Sequence, residues 1–129
     1  MAAEEWLDAR AWKCQQLYSL LIEPLQAVAR DHGYALAVHG SLARDIDLVA
    51  VPWVHKAAVA HVLIDAIYAT CAQVLPVEDR KWLTYCSGAQ PETKPHGRCA
   101  WGIMLCAEGV YLDVSVMPRK VMVPARKKR

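Results

Sequence analysis

Apolar residues recur at intervals of three and four near the start of the chain. Leu7, Ala11, Cys14, Leu17, Leu21, Leu25 and Val28 fall on one stripe, and the spacing predicts an amphipathic helix over residues 4–30. Pro24 lies within that stripe; lacking an N–H, it either kinks the helix or opens a second one at its first turn. Gly33 is the expected stop. Residues 34–38 then form a short apolar strand ended by His39 and Gly40, and a second strand runs from residue 44 or 45 to 51, closed by Pro52. So short a link predicts an antiparallel hairpin, because parallel neighbours need a crossover.

A second helix is expected over residues 54–74, with Val59, Val62, Leu63, Ala66, Ile67 and Cys71 on its stripe and Pro76 beyond its end. Residues 81–85 suit either a strand or a helical turn, and residues 87–97 carry the Gly and Pro content of a loop. Strands over 99–106 and 110–117 flank a turn at Glu108-Gly109 and form a second hairpin, closed by Pro118. In the last strand Tyr111, Asp113 and Ser115 share one face and Leu112, Val114 and Val116 the other. The expected class is α+β: a small mixed, largely antiparallel sheet packed by two main helices, one domain over residues 1–118, and a tail over 119–129.

Composition agrees with a folded domain, at 55% hydrophobic and 22% charged residues. No apolar run is long enough to span a bilayer, so no membrane partner is expected. The opening MAAEEW is acidic where a secretory leader would be basic, which points to a cytoplasmic setting. Five cysteines without a C-x-x-C pair read as reduced packing residues. The net charge is +2, but Arg119, Lys120, Arg126, Lys127, Lys128 and Arg129 carry six cations; removing them leaves the body at −4. Such a tail is either solvated or a nucleic-acid contact. Trp53, Trp82 and Trp101 read as core or interface filling, with base stacking open to one of them.

The chemistry concentrates in His39–Val49, HGSLARDIDLV. Asp45 and Asp47, one residue apart on a strand, point to one face with roughly 6 to 7 Å between them along the chain. Asp113 lies in an apolar strand, where an unpaired buried carboxylate is costly and calls for a partner or a cation. If the two strands are neighbours, the three carboxylates meet and can hold one or two Mg²⁺ or Mn²⁺ ions, which suit hard oxygen ligands. Gly40-Ser41 offers close backbone approach, N–H donors and a hydroxyl to phosphates, and Arg44 a charged fork. In the loop Lys94-Pro95-His96-Gly97-Arg98, His96 and Arg98 are further candidates to grip phosphates or a base, or are scattered surface charge. His39 is either within reach of a bound phosphate or simply solvated at a strand end. The blander reading of the motif is a half-exposed strand whose aspartates are satisfied by a nearby cation, after an ordinary hairpin turn.

GSLARDIDLVAV together with Asp113 resembles the active-site pattern of the nucleotidyltransferase superfamily related to DNA polymerase beta, especially its small single-domain members. The complete chain is also similar to short uncharacterised proteins of phages and bacteria. The resemblance implies a nucleotidyltransferase-like fold, with Gly40 and Ser41 binding nucleotide phosphates and Asp45, Asp47 and Asp113 binding metal and carrying catalysis. It implies a reaction in which a nucleoside monophosphate passes from a nucleoside triphosphate to a protein, RNA or small-molecule acceptor. A homodimer or a partner protein would complete the cleft of so small a domain. The connection departs from the family: only Leu42-Ala43-Arg44 separates Ser41 from Asp45, as though the middle had been deleted, so the phosphate-binding helical turn is expected to be missing. That departure supports an alternative, a catalytically inactive binding module for nucleotide, nucleic acid or a host protein.

Overall fold

The computed structural model describes residues 3–86 and 91–119. The loop positions 87–90 and the tail beyond Arg119 lie outside the described residues. Helix α1 (Ala3–Asp31) is followed by strands β1 (Tyr34–His39) and β2 (Ile46–Pro52), helices α2 (Ala60–Val74) and α3 (Val77–Arg80), and strands β3 (Thr84–Tyr85), β4 (Glu92–Thr93), β5 (Cys99–Met104) and β6 (Tyr111–Val116). The fold is α+β, with a mixed and mostly antiparallel six-stranded sheet in the order β1-β2-β6-β5-β3; β4 also pairs with β5. No helix among the described residues is long and apolar enough to cross a membrane.

α1 is one unbroken helix with Pro24 inside it. Leu17, Leu21, Leu25 and Ala29 are buried along its inner side, and this packing offsets the backbone hydrogen bond that proline cannot make. No second helix starts at Pro24. Gly33, at φ +86°, turns the chain into β1, and a Cβ there would lie 2.8 Å from the Ala57 Cα.

β1 and β2 form the expected antiparallel hairpin, from Tyr34↔Pro52 to His39↔Asp47. The second helix starts at Ala60, six residues later than the pattern implied. Residues 53–59 are apolar enough to continue a helical stripe, but their polar backbone groups are used elsewhere. Trp53 N–H donates to the Gly33 carbonyl (3.1 Å), Ala58 N–H to the His32 carbonyl (2.9 Å), and the Tyr34 hydroxyl to the Ala58 carbonyl (2.7 Å). Val62, placed on the inner stripe by its spacing, is exposed, whereas Leu63, Ile64, Ile67 and Cys71 are buried.

α1 and α2 cover one face of the sheet. Leu36, Ile46, Leu48, Ala50, Trp101, Ile103, Leu112, Val114 and Val116 all point into that layer. Each such aliphatic side chain contributes about 2 kcal/mol by leaving water. Pairing of β2 with β6 is parallel, with Asp47↔Asp113 and Leu48↔Val114 in register, while β5 and β6 are antiparallel, with Gly102↔Asp113. The alternation that buries Leu48 and Val114 therefore turns Asp47 and Asp113 onto the opposite face.

Two readings of residue types need correction. Cys14, Cys71 and Cys106 are packing residues, but Cys86 is exposed. Trp101 is in the core, but Trp53 and Trp82 are largely exposed, since both lie in connections outside the paired strands and helices.

A polar pin joins three elements. Asp79 of α3 is 2% exposed and meets Lys13 of α1 at 2.9 Å, with Glu108 of the β5–β6 turn 4.0 Å from the same ammonium. Asp79→Ala strands that ammonium, and we expect a loss of about 3 kcal/mol in urea unfolding, largely recovered in the double variant Lys13→Met, Asp79→Ala. A loss under about 1 kcal/mol would mean that solvent screens the pair.

Candidate functional site

The uncovered face of β2, β6 and β5 gathers the carboxylates. Asp47 and Asp113 are register partners on adjacent parallel strands, whose backbones run about 4.8 Å apart. Asp45 stands one residue before β2 and is fixed from two sides: Arg10 Nη2 of α1 lies 2.7 Å from its Oδ1, and the Tyr111 N–H donates to the same oxygen at 3.2 Å. The Arg10 guanidinium also sits 5.9 Å from the centre of the Tyr111 ring, a cation–π distance. Asp45, Asp47 and Asp113 line a cavity of about 280 Å³ together with Glu92, Cys86 and Tyr111.

Burial and like charge act together in this cavity. Burial and then the Asp45 carboxylate push the Asp47 carboxyl above the usual range, with His39 opposing. Asp113, although exposed, is raised by its partial loss of hydration and then by Asp47, with Lys94 opposing. The Cys86 thiol is raised by burial and then by Asp113 and Asp45. Neither Asp47 nor Asp113 has an ion-pair partner within 4.0 Å among the described residues.

A second cavity, of about 300 Å³, shares Asp47 and Asp113 as its wall and is otherwise lined by His39, Lys94, Arg98 and Ser115, with Leu48 and Ala100. One side of the aspartate pair is thus acidic and the other basic. Arg98 Nη1 donates to the Ser115 hydroxyl at 3.3 Å.

The sequence candidates divide. Asp45, Asp47 and Asp113 come together, and Arg98 joins them from the second cavity. Gly40 touches the group: at φ +89°, a Cβ there would lie 3.1 Å from Asp47 Oδ2, so the turn needs glycine. Ser41, Arg44 and His96 are exposed and line neither cavity. The Ser41 hydroxyl instead accepts the Ala43 N–H at 3.3 Å. No helical turn intervenes between β1 and β2, in line with the deletion visible in the sequence. Arg10, Glu92 and Cys86 were not anticipated. They are ordinary residue types with no spacing signal, and only the tertiary fold brings them to the aspartates.

Carboxylate oxygens are the donors that Mg²⁺ and Mn²⁺ prefer, and a cation beside Asp47 and Asp113 would offset the like charge by which Asp47 raises Asp113. Among the described residues no three His, Cys, Asp or Glu side chains already stand as a coordination set. The Oδ1 of Asp45 is committed to Arg10 and Tyr111. In comparisons with family models, curated proteins and solved structures, nothing matches the chain.

The raised carboxyls fix a sign. A group whose pKa is higher folded than unfolded adds most stability at low pH and loses it as pH rises through the folded value. In chelator-containing buffer Asp113→Asn should therefore be more stable than the parent at pH 7, with the gap closing as pH falls through the raised Asp113 value and gone below the ordinary aspartate range. Thermal melts across pH check this, and a gap independent of pH would contradict it.

Proposed function

We propose that the chain is a metal-dependent nucleotidyltransferase, moving a nucleoside monophosphate from a nucleoside triphosphate to an acceptor on a protein, an RNA or a small molecule. The observation that carries this reading is the placement of Asp47 directly beside Asp113 on the uncovered sheet face, with Asp45 at the same cavity. It is the arrangement that the resemblance of GSLARDIDLVAV and Asp113 led us to expect, and it joins residues far apart in the chain.

In this reading Asp47 and Asp113 hold a divalent cation, and Asp45 adds the carboxylate oxygen not engaged by Arg10. Such a cation, when bound, neutralises charge on the transferring phosphoryl group and eases ionisation of the attacking hydroxyl. The acceptor oxygen bonds to the α-phosphorus as the bond from that phosphorus to the bridging oxygen breaks and pyrophosphate leaves. In this reading Asp113 also takes the acceptor proton, as the carboxylate beside the attacking hydroxyl. Arg10 positions Asp45 and acts only through it.

A second reading, a binding module without turnover, is favoured by Asp45 itself, one of whose oxygens is held by Arg10 at 2.7 Å. The two readings part experimentally. With labelled nucleoside triphosphates and Mg²⁺ or Mn²⁺, a transferase labels an acceptor, and Asp47→Asn or Asp113→Asn lowers the rate by about a hundredfold or more. Calorimetry on the same variants should show metal-dependent nucleotide binding lost with them. Nucleotide binding indifferent to Asp45→Asn, with no label transferred to any acceptor, would establish the binding module instead.

A further inference from the structure

Transfer from a triphosphate needs a place for the phosphates that leave, and the Gly-Ser turn is poorly equipped for it. Ser41 is exposed and lines neither cavity, and no helical turn follows it to present a row of N–H donors. Cations stand instead on the other side of the aspartate pair. β4 and β5 form a hairpin with Glu92↔Ala100 and Thr93↔Cys99 paired. The next pair outward is Lys94 and Arg98, closed by the Lys94 N–H on the Arg98 carbonyl at 2.9 Å.

Two cations opposite each other at a hairpin end repel and destabilise it. The turn between them is also strained: His96, a residue with a Cβ, has φ +65°, and Gly97 has φ +75°. A left-handed non-glycine residue costs about 1–2 kcal/mol. Lys94 is partly compensated by Glu92 at 3.1 Å. Arg98 is bonded to the Ser115 hydroxyl and, at 3.4 Å, to the Pro95 carbonyl, and no carboxylate pairs with it among the described residues. Its guanidinium therefore keeps donors for an incoming anion, in the planar fork that phosphate oxygens match. His39 adds a third basic side chain to the same cavity, whose volume of about 300 Å³ adjoins the aspartate pair.

We propose that Lys94, Arg98 and His39 form a phosphate subsite that binds the terminal phosphates of a nucleoside triphosphate, in place of the Gly-Ser turn. The proposal rests on the nucleotidyl-transfer reading and adds a direction to it. The phosphates enter from the basic cavity, and the acceptor approaches through the acidic one lined by Asp45 and Glu92. The repulsion between the paired cations is then a feature that the bound anion relieves.

Inorganic pyrophosphate is the probe, titrated calorimetrically into the full chain with Mg²⁺ present. Arg98→Gln and Lys94→Gln should each weaken binding by about tenfold or more. Arg98→Lys, which keeps the charge and loses the fork, should fall between Arg98→Gln and the parent. Lys56→Gln, at an exposed cation lining neither cavity, should stay within about twofold of the parent. Circular dichroism confirms folding, and should Arg98→Gln fail to fold, Lys94→Gln and Arg98→Lys decide. Parent-like pyrophosphate binding in the folded variants, or no pyrophosphate binding by the parent chain, overturns the subsite. Label transfer from a triphosphate is scored separately. Transfer undiminished in Lys94→Gln and Arg98→Gln defeats the subsite and leaves the transferase standing, whereas pyrophosphate binding lost in both variants without any transfer by the parent upholds the subsite and defeats the transferase.

Discussion

The ladder between β2 and β6 performs two tasks with one register. Leu48 beside Val114, and Ile46 beside Leu112, close the apolar layer under α1 and α2. Asp47 beside Asp113 puts two carboxylates together on the side that no helix covers. Because side chains alternate along a strand, neither result can be had without the other, and a slip of one residue would bury the acids and expose the core. The unfavourable proximity of the acids is sustained by the burial of their neighbours. Core packing is thus the source of the electrostatic tension at the surface.

That tension is distributed unevenly around the aspartates. Asp45 is relieved by Arg10, a side chain from the helix that also supplies the core stripe. Asp47 and Asp113 have no such ion pair among the described residues, and Lys94 and Arg98 line a second cavity beside them from a hairpin of their own. A chain that needed only a stable sheet face would have no reason to set acids and bases side by side without pairing them. The separation is useful to a protein that holds a positive ion on one side and a negative group on the other.

Much of the architecture can be read from periodicity. The long helix, both hairpins and the faces of the last strand follow from intervals of three, four and two, because there the local pattern and the tertiary packing agree. Residues 53–59 show where the method stops. Their apolar spacing continues a helix, yet the ends of α1 and β1 claim their backbone groups, a competition that no local window contains. The choice of β6 as the neighbour of β2 is of the same kind. The sequence offers a condition for the three aspartates to meet, and only the strand order fulfils it. Arg10 and Asp79 escape notice because a charged residue looks the same on paper whether it is solvated or placed against a distant partner, as Arg10 is against Asp45, 35 positions away, and Asp79 against Lys13, 66 positions away.

The position of β6 has a consequence for when the acidic cluster comes into being. It is the last strand in sequence but lies in the middle of the sheet, inserted between β2 and β5. Until that segment has been synthesised and threaded into place, Asp47 faces a gap. An unfinished chain consequently lacks the Asp47–Asp113 pair, and the acidic cluster is complete only with closure of the sheet, the slow, long-range step of assembling such a topology.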